Sequence, residues 1–586
     1  MAGWREGGRA GLLLPVLLAF CTLWRLPSLA DPPWLNDEGT YATVGKALID
    51  GEALYRQIWE NKPPGVYLLY GSMHLLTGSE HLLVAVRILA LLASLVVLLA
   101  VYRIASRLRD RLTGALALLF AGVLVDLPLL DGTSANAEIF LAAATSAGMA
   151  LILPSLDRSV SIVSAGPPTA PTAPVRPLGR DPQRPTRQAT QDSPLPPSLV
   201  PGGAGQAPPH GLPSMPLPTG AVGTILARNH GSLEPVSIFL LAGLTFGLAL
   251  LFKLVAGADL LAALLIAGWP AARCQARTRL AMIGGLLVGA ALPVAAVALW
   301  LVTRGLLGDA LYATVGYNRG YVATGQSLHA LPLTMAMLAV PLALLALAAW
   351  LARRRGGSVL QPAAAVTLWL ALALLGALAS GRSYPHYYLQ VAPPLALVLA
   401  LLVARLCRQS GPRQRRVLIA VLTCWSLGVP LGSWLALRHE SAHPVPGSDQ
   451  AGYYAHAWQY LTGSLDTTAY GNSLDPRVER NLAAIQYLTD YPATPRRLYI
   501  WGNAPWIYYL ARYQHATRFA SAYYRPAIPG GIAEVAAALS ADPPSYILVI
   551  APPTPTSVGL RALLRARYLP TYRVQDATIY RLRAPR

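Results

Sequence analysis

Residues able to do chemistry stand in this sequence at the edges of long apolar runs. Asp37-Glu38 follows the first such run and precedes a helix-like stretch. Carboxylates there can cap a helix and favour its dipole, or one can act as a general base that takes a proton from an acceptor hydroxyl. Asn61-Lys62-Pro63-Pro64-Gly65 comes next. The proline pair stops a helix and favours an extended chain. Lys62 beside it reads either as a lysine snorkelling at a membrane edge or as a cation stabilising a phosphate leaving group. The run DGTSANAE (131–138) puts Glu138 at the start of an apolar helix, a costly place for a charge and commonly a functional one. A capping box with Ser134 or Asn136 is the alternative. Lys253 interrupts the apolar stretch 238–269, with Asp259 six residues on as a pairing partner. Arg382 and His386 stand in RSYPHYY (382–388), where the tyrosines also suit an aromatic belt at a membrane interface.

The elements that must position these groups are membrane helices. The chain of 586 residues is 54% hydrophobic and only 13% charged, against about 25% charged in a typical soluble domain. Apolar runs of about 17–22 residues recur, the length that crosses a bilayer core as a helix. Spans are expected near 10–30, 81–102, 112–130, 137–154, 235–251, 254–270, 280–302, 330–351, 359–380, 385–405 and 417–437. The first run follows Arg5 and Arg9 and reads as a retained helix rather than a signal peptide, since no small-residue cleavage site follows it.

The formal charge of +20 suggests nucleic acid at first sight. Its arginines, however, cluster in short turns: Arg103, Arg107, Arg109 and Arg111; Arg273, Arg277 and Arg279; Arg353 to Arg355; Arg405, Arg408, Arg413, Arg415 and Arg416. That is the positive-inside pattern, so no nucleic-acid partner is needed. Counting spans from a cytoplasmic N-terminus puts every cluster inside and the C-terminal part outside, in the plasma membrane of a cell. Asp37, Glu38, Lys62, Glu138, Lys253, Arg382 and His386 then converge on one outer face. The four cysteines, Cys21, Cys274, Cys407 and Cys424, have no metal-site or disulfide spacing.

Four regions follow. Residues 1–154 hold the first spans and an acidic outer loop (31–80), with a surface helix at 38–49 and a short apolar element at 64–77. The Pro-rich segment 155–233 lacks the apolar content to offset its ordering entropy and is expected to be a disordered cytoplasmic insertion. Residues 234–437 hold the remaining spans. In 438–586, strand-like RRLYIW (496–501) and SYILVI (545–550) alternate with helix-like 532–540 and 558–567, giving a small α/β domain outside the membrane.

The run WLNDEGTYATVGKALIDGEALYRQIWENKPPGVYLLYG (34–71) resembles the first outer loop of the GT-C glycosyltransferases of the protein-mannosyltransferase and aminoarabinose-transferase type, through Asp37-Glu38, Tyr41 and Lys62-Pro63-Pro64. SANAEIF (134–140), the Lys253 region and SYPHYYLQVAPPLAL (383–397) are similar to further segments of these enzymes, and YIWGNAPWIYYLA (499–511) to the tail domain of bacterial relatives. The resemblance covers about residues 10–437, with 155–233 unmatched. It implies an α-helical polytopic fold of about 11–13 membrane helices and inverting transfer of a sugar from a polyprenyl phosphate to a lipid, glycan or protein acceptor outside the cytoplasm. It also implies catalytic roles for Asp37, the base, and Glu38, with Lys62, Tyr41, Glu138, Lys253, Arg382 and His386 binding the donor phosphate and sugar. Some relatives carry an acidic residue just before the loop lysine, near a divalent metal; here that residue is Asn61, with Glu60 before it. The chemistry agrees independently: a cation-like sugar carbon needs a base on its attacker and positive charge at its leaving group. Neither a Gly-rich phosphate loop nor an Asp-x-Asp motif marks a nucleotide donor. A transporter or lipid-linked-sugar flippase is the competing class, but it commonly shows paired repeats and midplane charges, and no repeat is visible.

Overall fold

The structure is a computed structural model that describes residues 3–126, 128–164, 220–269, 276–323, 362–379, 384–409, 450–550 and 558–584, with a few isolated positions between 343 and 411. It is a polytopic membrane helix bundle carrying a small sheet domain. The first eight helices are α1 (Gly3–Arg25), α2 (Asn36–Ile49), α3 (Gly65–Leu108), α4 (Arg111–Val125), α5 (Ala137–Ser164), α6 (Gly220–Phe252), α7 (Gly257–Gly268) and α8 (Ala276–Thr303), followed by Pro362–Leu378 and Ala392–Gln409 in the bundle. Among the described residues three segments are long and apolar enough to cross a membrane: Gly65–Leu108, Ala137–Pro154 and Ala276–Thr303. Shorter apolar helices pack around them, among them Arg111–Val125, Val236–Phe252 and Pro362–Leu378.

The packing suits lipid rather than water. Along α3, Val84, Ile88, Leu92, Val96 and Leu99 form an exposed apolar stripe at helical spacing, while Arg87, Ala90, Ser94 and Val97 are buried on the other face. Helices α6 and α8 cross through two small-residue motifs. Gly243 of α6 faces Gly289 of α8, where a Cβ on Gly243 would come within 2.8 Å of the Gly289 Cα, while Gly247 meets Ala290 and Pro293 and Gly285 meets Val236 and Leu240. Such close backbone contact replaces the hydrophobic drive that lipid removes.

The expected spans coincide with helices except 330–351 and 417–437, which lie outside the described residues. Four readings change. The apolar element 64–77 is no separate insertion: it is the first part of α3, broken at Gly78. Pro63-Pro64 therefore starts a helix instead of stopping one, because Pro64 stands where the helix needs no N–H from it. The span expected from 385 begins at Ala392, after a 3₁₀ turn over Pro385–Gln390. The ends of the Pro-rich segment are helical, since α5 runs on to Ser164 and α6 begins at Gly220; residues 165–219 lie outside the description.

After helices Gln450–Leu461, Thr467–Leu474 and Arg477–Asp490 comes a five-stranded sheet of order β2-β1-β3-β5-β4. Its strands are β1 (Arg497–Trp501), β2 (Gln514–His515), β3 (Tyr546–Ile550), β4 (Tyr568–Val574) and β5 (Ala577–Leu582). Strand β1 is parallel to β2 and β3, and β5 runs antiparallel to both β3 and β4. The two strands expected from sequence are β1 and β3, buried and apolar; the β4–β5 hairpin adds an edge beside them.

This domain is docked on the first loop. Tyr41, Trp59 and Tyr67 share one core with Trp501, Trp506, Tyr524 and Ile547. Trp506 Nε1 donates to the Leu35 carbonyl at 2.9 Å and the Thr43 hydroxyl to the Pro505 carbonyl at 3.0 Å. Tyr470 donates to Asp31 at 2.5 Å, and Tyr453 reaches the same carboxyl at 3.3 Å. Burial pushes the Asp31 carboxyl up to about 6, against the pull of Arg87 and the two phenols. A carboxyl held above its ordinary 3.8 adds stability that is complete below that value and is lost as pH rises through about 6. The melting temperature of the detergent-solubilised wild type should therefore fall between about pH 4 and pH 7 by more than that of Asp31→Asn. Parallel pH profiles for the two proteins would remove Asp31 as the cause.

Candidate active site

The site is built on one buried guanidinium. Arg87 lies inside an apolar stretch of α3, where a lone charge is unfavourable, and all its donors are used. It pairs with Glu38, Nη2 to Oε2 at 2.9 Å and Nε to Oε1 at 3.3 Å. It also donates to the carbonyls of Ser28 at 3.1 Å, Asp31 at 2.5 Å and Pro32 at 3.4 Å. Glu38 Oε1 further accepts the Ala135 N–H at 2.8 Å. One ion pair thus joins the end of α1, the start of α2 and the turn before α5.

Asp37, the neighbour of Glu38 on α2, is left facing the other way. Leu35 is the N-cap residue of α2 and no side chain caps it, so neither carboxylate serves as the cap. Asp37 forms no hydrogen bond or ion pair among the described residues and is partly exposed. Its charge is felt at Lys62, Lys253, His386 and Asp131, which gather around it.

Lys62 is largely buried, its Nζ 5.1 Å over the Tyr41 ring and 3.6 Å from Glu60 Oε1. Burial works against its charge, but the carboxylates of Glu60, Asp37 and Glu138 prevail and hold it above the ordinary lysine range. Tyr41 donates to Asn136 Oδ1 at 3.0 Å. Glu138 is 2% exposed and accepts from Lys253 Nζ at 2.6 Å, with His386 Nε2 4.0 Å away. That partnership, rather than a capping box, occupies Glu138. Lys253 stands in an extended break after α6, its Nζ 3.4 Å over the Tyr387 ring. His386 Nδ1 lies 3.3 Å from Asp131 Oδ2. Of the residues singled out in the sequence, Asp37, Tyr41, Lys62, Glu138, Lys253 and His386 are brought together. Glu38 turns from them towards Arg87, and Arg382 lies outside the described residues.

The Lys253–Asp259 pairing does not form. The helix breaks between them, so Lys253 is aimed at the site while Asp259 on α7 faces the bundle interior. There it accepts from Trp369 Nε1 at 2.7 Å and Gln390 Nε2 at 2.5 Å. Gln390 also donates to the Val255 carbonyl at 3.2 Å, tying the His386 turn to the Lys253 break.

Sequence reasoning passed over Arg87 and gave Glu60 and Asp131 no role at the site. Arg87 could have been found as the one arginine inside the expected span 81–102. Glu60 accepts the hydroxyls of Tyr67 and Tyr524, the Asn61 N–H at 2.8 Å and the Lys62 N–H at 3.1 Å. Asn61, at the position before the lysine, gives its amide to Asn318 at 3.1 Å. Among the described residues no three His, Cys, Asp or Glu side chains could hold a metal ion.

No family model matches the chain, and no curated protein matches it. Solved structures do. ArnT from Cupriavidus metallidurans in the apo state superposes with a TM-score of 0.54 at 14% identity over 98% of each chain. The same protein bound to undecaprenyl phosphate gives 0.53 at 15%, again over 98% of each. The chain has a GT-C-like fold. Archaeal oligosaccharyltransferase AglB from Archaeoglobus fulgidus, in complex with an inhibitory peptide and a dolichol-phosphate, gives a TM-score of 0.45 at 13% identity over 92% of this chain and 69% of its own.

Within the GT-C-like fold, Asp259 acts as a clamp behind the site. Asp259→Leu leaves the Trp369 and Gln390 donors bare in apolar surroundings, a loss of about 1–3 kcal/mol for each. Its melting temperature in detergent should fall well below that of the wild type, with Asp259→Asn between the two. An unchanged Asp259→Leu would show that the clamp carries no stability.

Proposed function

We propose that this protein is an inverting glycosyltransferase that moves a sugar from a polyprenyl-phosphate carrier to an acceptor hydroxyl outside the cytoplasm. The observation that carries the reading is Asp37: a carboxylate that none of the described residues hydrogen-bonds, with Lys62 and Lys253 near enough to feel its charge. The acceptor oxygen attacks the anomeric carbon and loses its proton to Asp37. The bond from that carbon to the phosphate oxygen breaks, and the electron pair leaves on the polyprenyl phosphate. Lys62 and Lys253, with His386 behind them, supply positive charge where it develops. Tyr41 and Glu138 orient the lysines. Glu38, read from sequence as catalytic, is better suited to positioning, since both its oxygens are engaged by Arg87 and Ala135.

The arginine-rich turns support a cytoplasmic N-terminus and an outer sheet domain. A likeness in fold to ArnT, solved with undecaprenyl phosphate, supports a lipid-borne donor. The flippase reading is not favoured, because the charged side chains lie together at one end of the bundle.

The test is transfer of labelled sugar from a panel of polyprenyl-phosphate donors in membranes. Asp37→Asn should lose on the order of 10²–10⁴ in rate, and Lys62→Met on the order of 10² or more, at equal protein levels. Glu38→Gln should act differently, lowering the amount of folded protein by stranding Arg87. Full activity in Asp37→Asn would sink the base assignment. Absence of transfer by the wild type across the panel would sink the enzyme class.

A further inference from the structure

The outer domain reaches Glu60, beside Lys62, through Tyr524. Glu60 Oε1 faces Lys62 Nζ at 3.6 Å, and the same oxygen accepts the hydroxyl of Tyr524 from the outer domain. Tyr67 and the two backbone N–H groups are bound instead to Oε2. Lys62 and Tyr524 therefore share one oxygen of Glu60. Tyr524 is not loosely held. Its ring packs 5.2 Å from Trp59 and 5.9 Å from Tyr317. Its neighbour Arg525 donates to the Tyr499 hydroxyl and lies 4.5 Å over the Trp501 ring, both residues of β1. Immediately before Glu60, the Trp59 N–H donates to the Arg518 carbonyl at 2.7 Å, fixing the loop to the same domain.

We infer that the outer domain sets the position of Lys62, with Tyr524 and Glu60 as positioning residues. The inference rests on the reading above for what Lys62 does, but not for how it is held. The physical reason is competition for one carboxylate oxygen. While Tyr524 donates to Oε1, part of the charge on that oxygen is already met, and the ammonium remains at 3.6 Å, free to meet a phosphate. Without the hydroxyl, Lys62 becomes the sole counterpart of Oε1 and is drawn onto Glu60, away from the donor. Motion of the outer domain would thereby alter the grip on the lipid phosphate without that domain touching it.

The experiment is a double-mutant cycle on the full-length protein. Tyr524→Phe keeps the ring and removes the hydroxyl. It should lower kcat/KM for the polyprenyl-phosphate sugar about tenfold, mostly as a higher KM, the size expected for losing a hydrogen bond to a charged group. In a Glu60→Gln background, where no charge draws the lysine, Tyr524→Phe should add little. Tyr67→Phe, which removes a donor from Oε2 alone and leaves it the two backbone N–H groups, should have the smaller effect and gives a second comparison if Glu60→Gln does not insert. The companion measurement needs no substrate: reductive methylation of Lys62 in the purified protein, followed by mass spectrometry. Tyr524→Phe should slow it several-fold, and Glu60→Gln should restore it. Equal losses in both backgrounds, or a Lys62 reactivity unchanged in Tyr524→Phe, would overturn the inference. A wild type that transfers no sugar would end the functional reading, while the methylation rates still decide this one.

Discussion

The Glu38–Arg87 pair is the constraint on which the rest depends. A guanidinium in the apolar stem of α3 is tolerable only with its donors filled, and they are filled by segments that are distant in sequence: Ser28, Asp31, Pro32 and Glu38. Removing one partner would strand a buried charge, so the arrangement is all or none. Because Glu38 is held there, α2 has one allowed rotation about its axis. Asp37 follows from it, placed one residue away and turned about a hundred degrees around the helix towards the lysines.

The same logic of filled donors runs outward from that pair. Glu38 takes the Ala135 N–H, Tyr70 donates to the Ala135 carbonyl at 2.9 Å, and Tyr41 donates to Asn136 at 3.0 Å. Gly45 and Gly71 let α2 and α3 approach closely enough for these tyrosines to reach, since a Cβ on Gly45 would stand 2.7 Å from the Gly71 nitrogen. Deeper in the bundle, Asp259 and Gln390 link the breaks that carry Lys253 and His386. The candidate site is therefore held from two sides, by polar contacts at the membrane edge and by a polar clamp within it.

The sheet domain belongs to this frame. Its core is continuous with that of the first loop, and its tyrosines end on Asp31 and Glu60, carboxylates of that loop. Acidic residues in an outer loop invite a reading as surface charge. Asp31 and Glu60 are instead buried acceptors for phenol hydroxyls, which is how a loop rich in carboxylates can pack under a domain.

Much of the architecture was legible in the residues alone. Span length and apolar content fix where helices run, because the bilayer leaves few alternatives for the backbone, and most expected spans coincide with helices. The approximate convergence of Asp37, Lys62, Glu138, Lys253 and His386 followed from their common place at the ends of those spans. What the sequence could not settle was which neighbour each charge takes. Asp37 and Glu38 are adjacent and chemically alike, and only the position of Arg87, 49 residues from Glu38 along the chain, separates the carboxylate bound by a guanidinium from the one that no described group binds. Lys253 and Asp259 look like partners six residues apart, until a break in the helix sends them in different directions. Glu60 passed for one more acid in an acidic loop until Tyr524, 464 residues further along, was found on the same oxygen as the lysine. Local periodicity determines the helices; the pairing of charges is a contest among groups remote in sequence, and only the folded chain decides it.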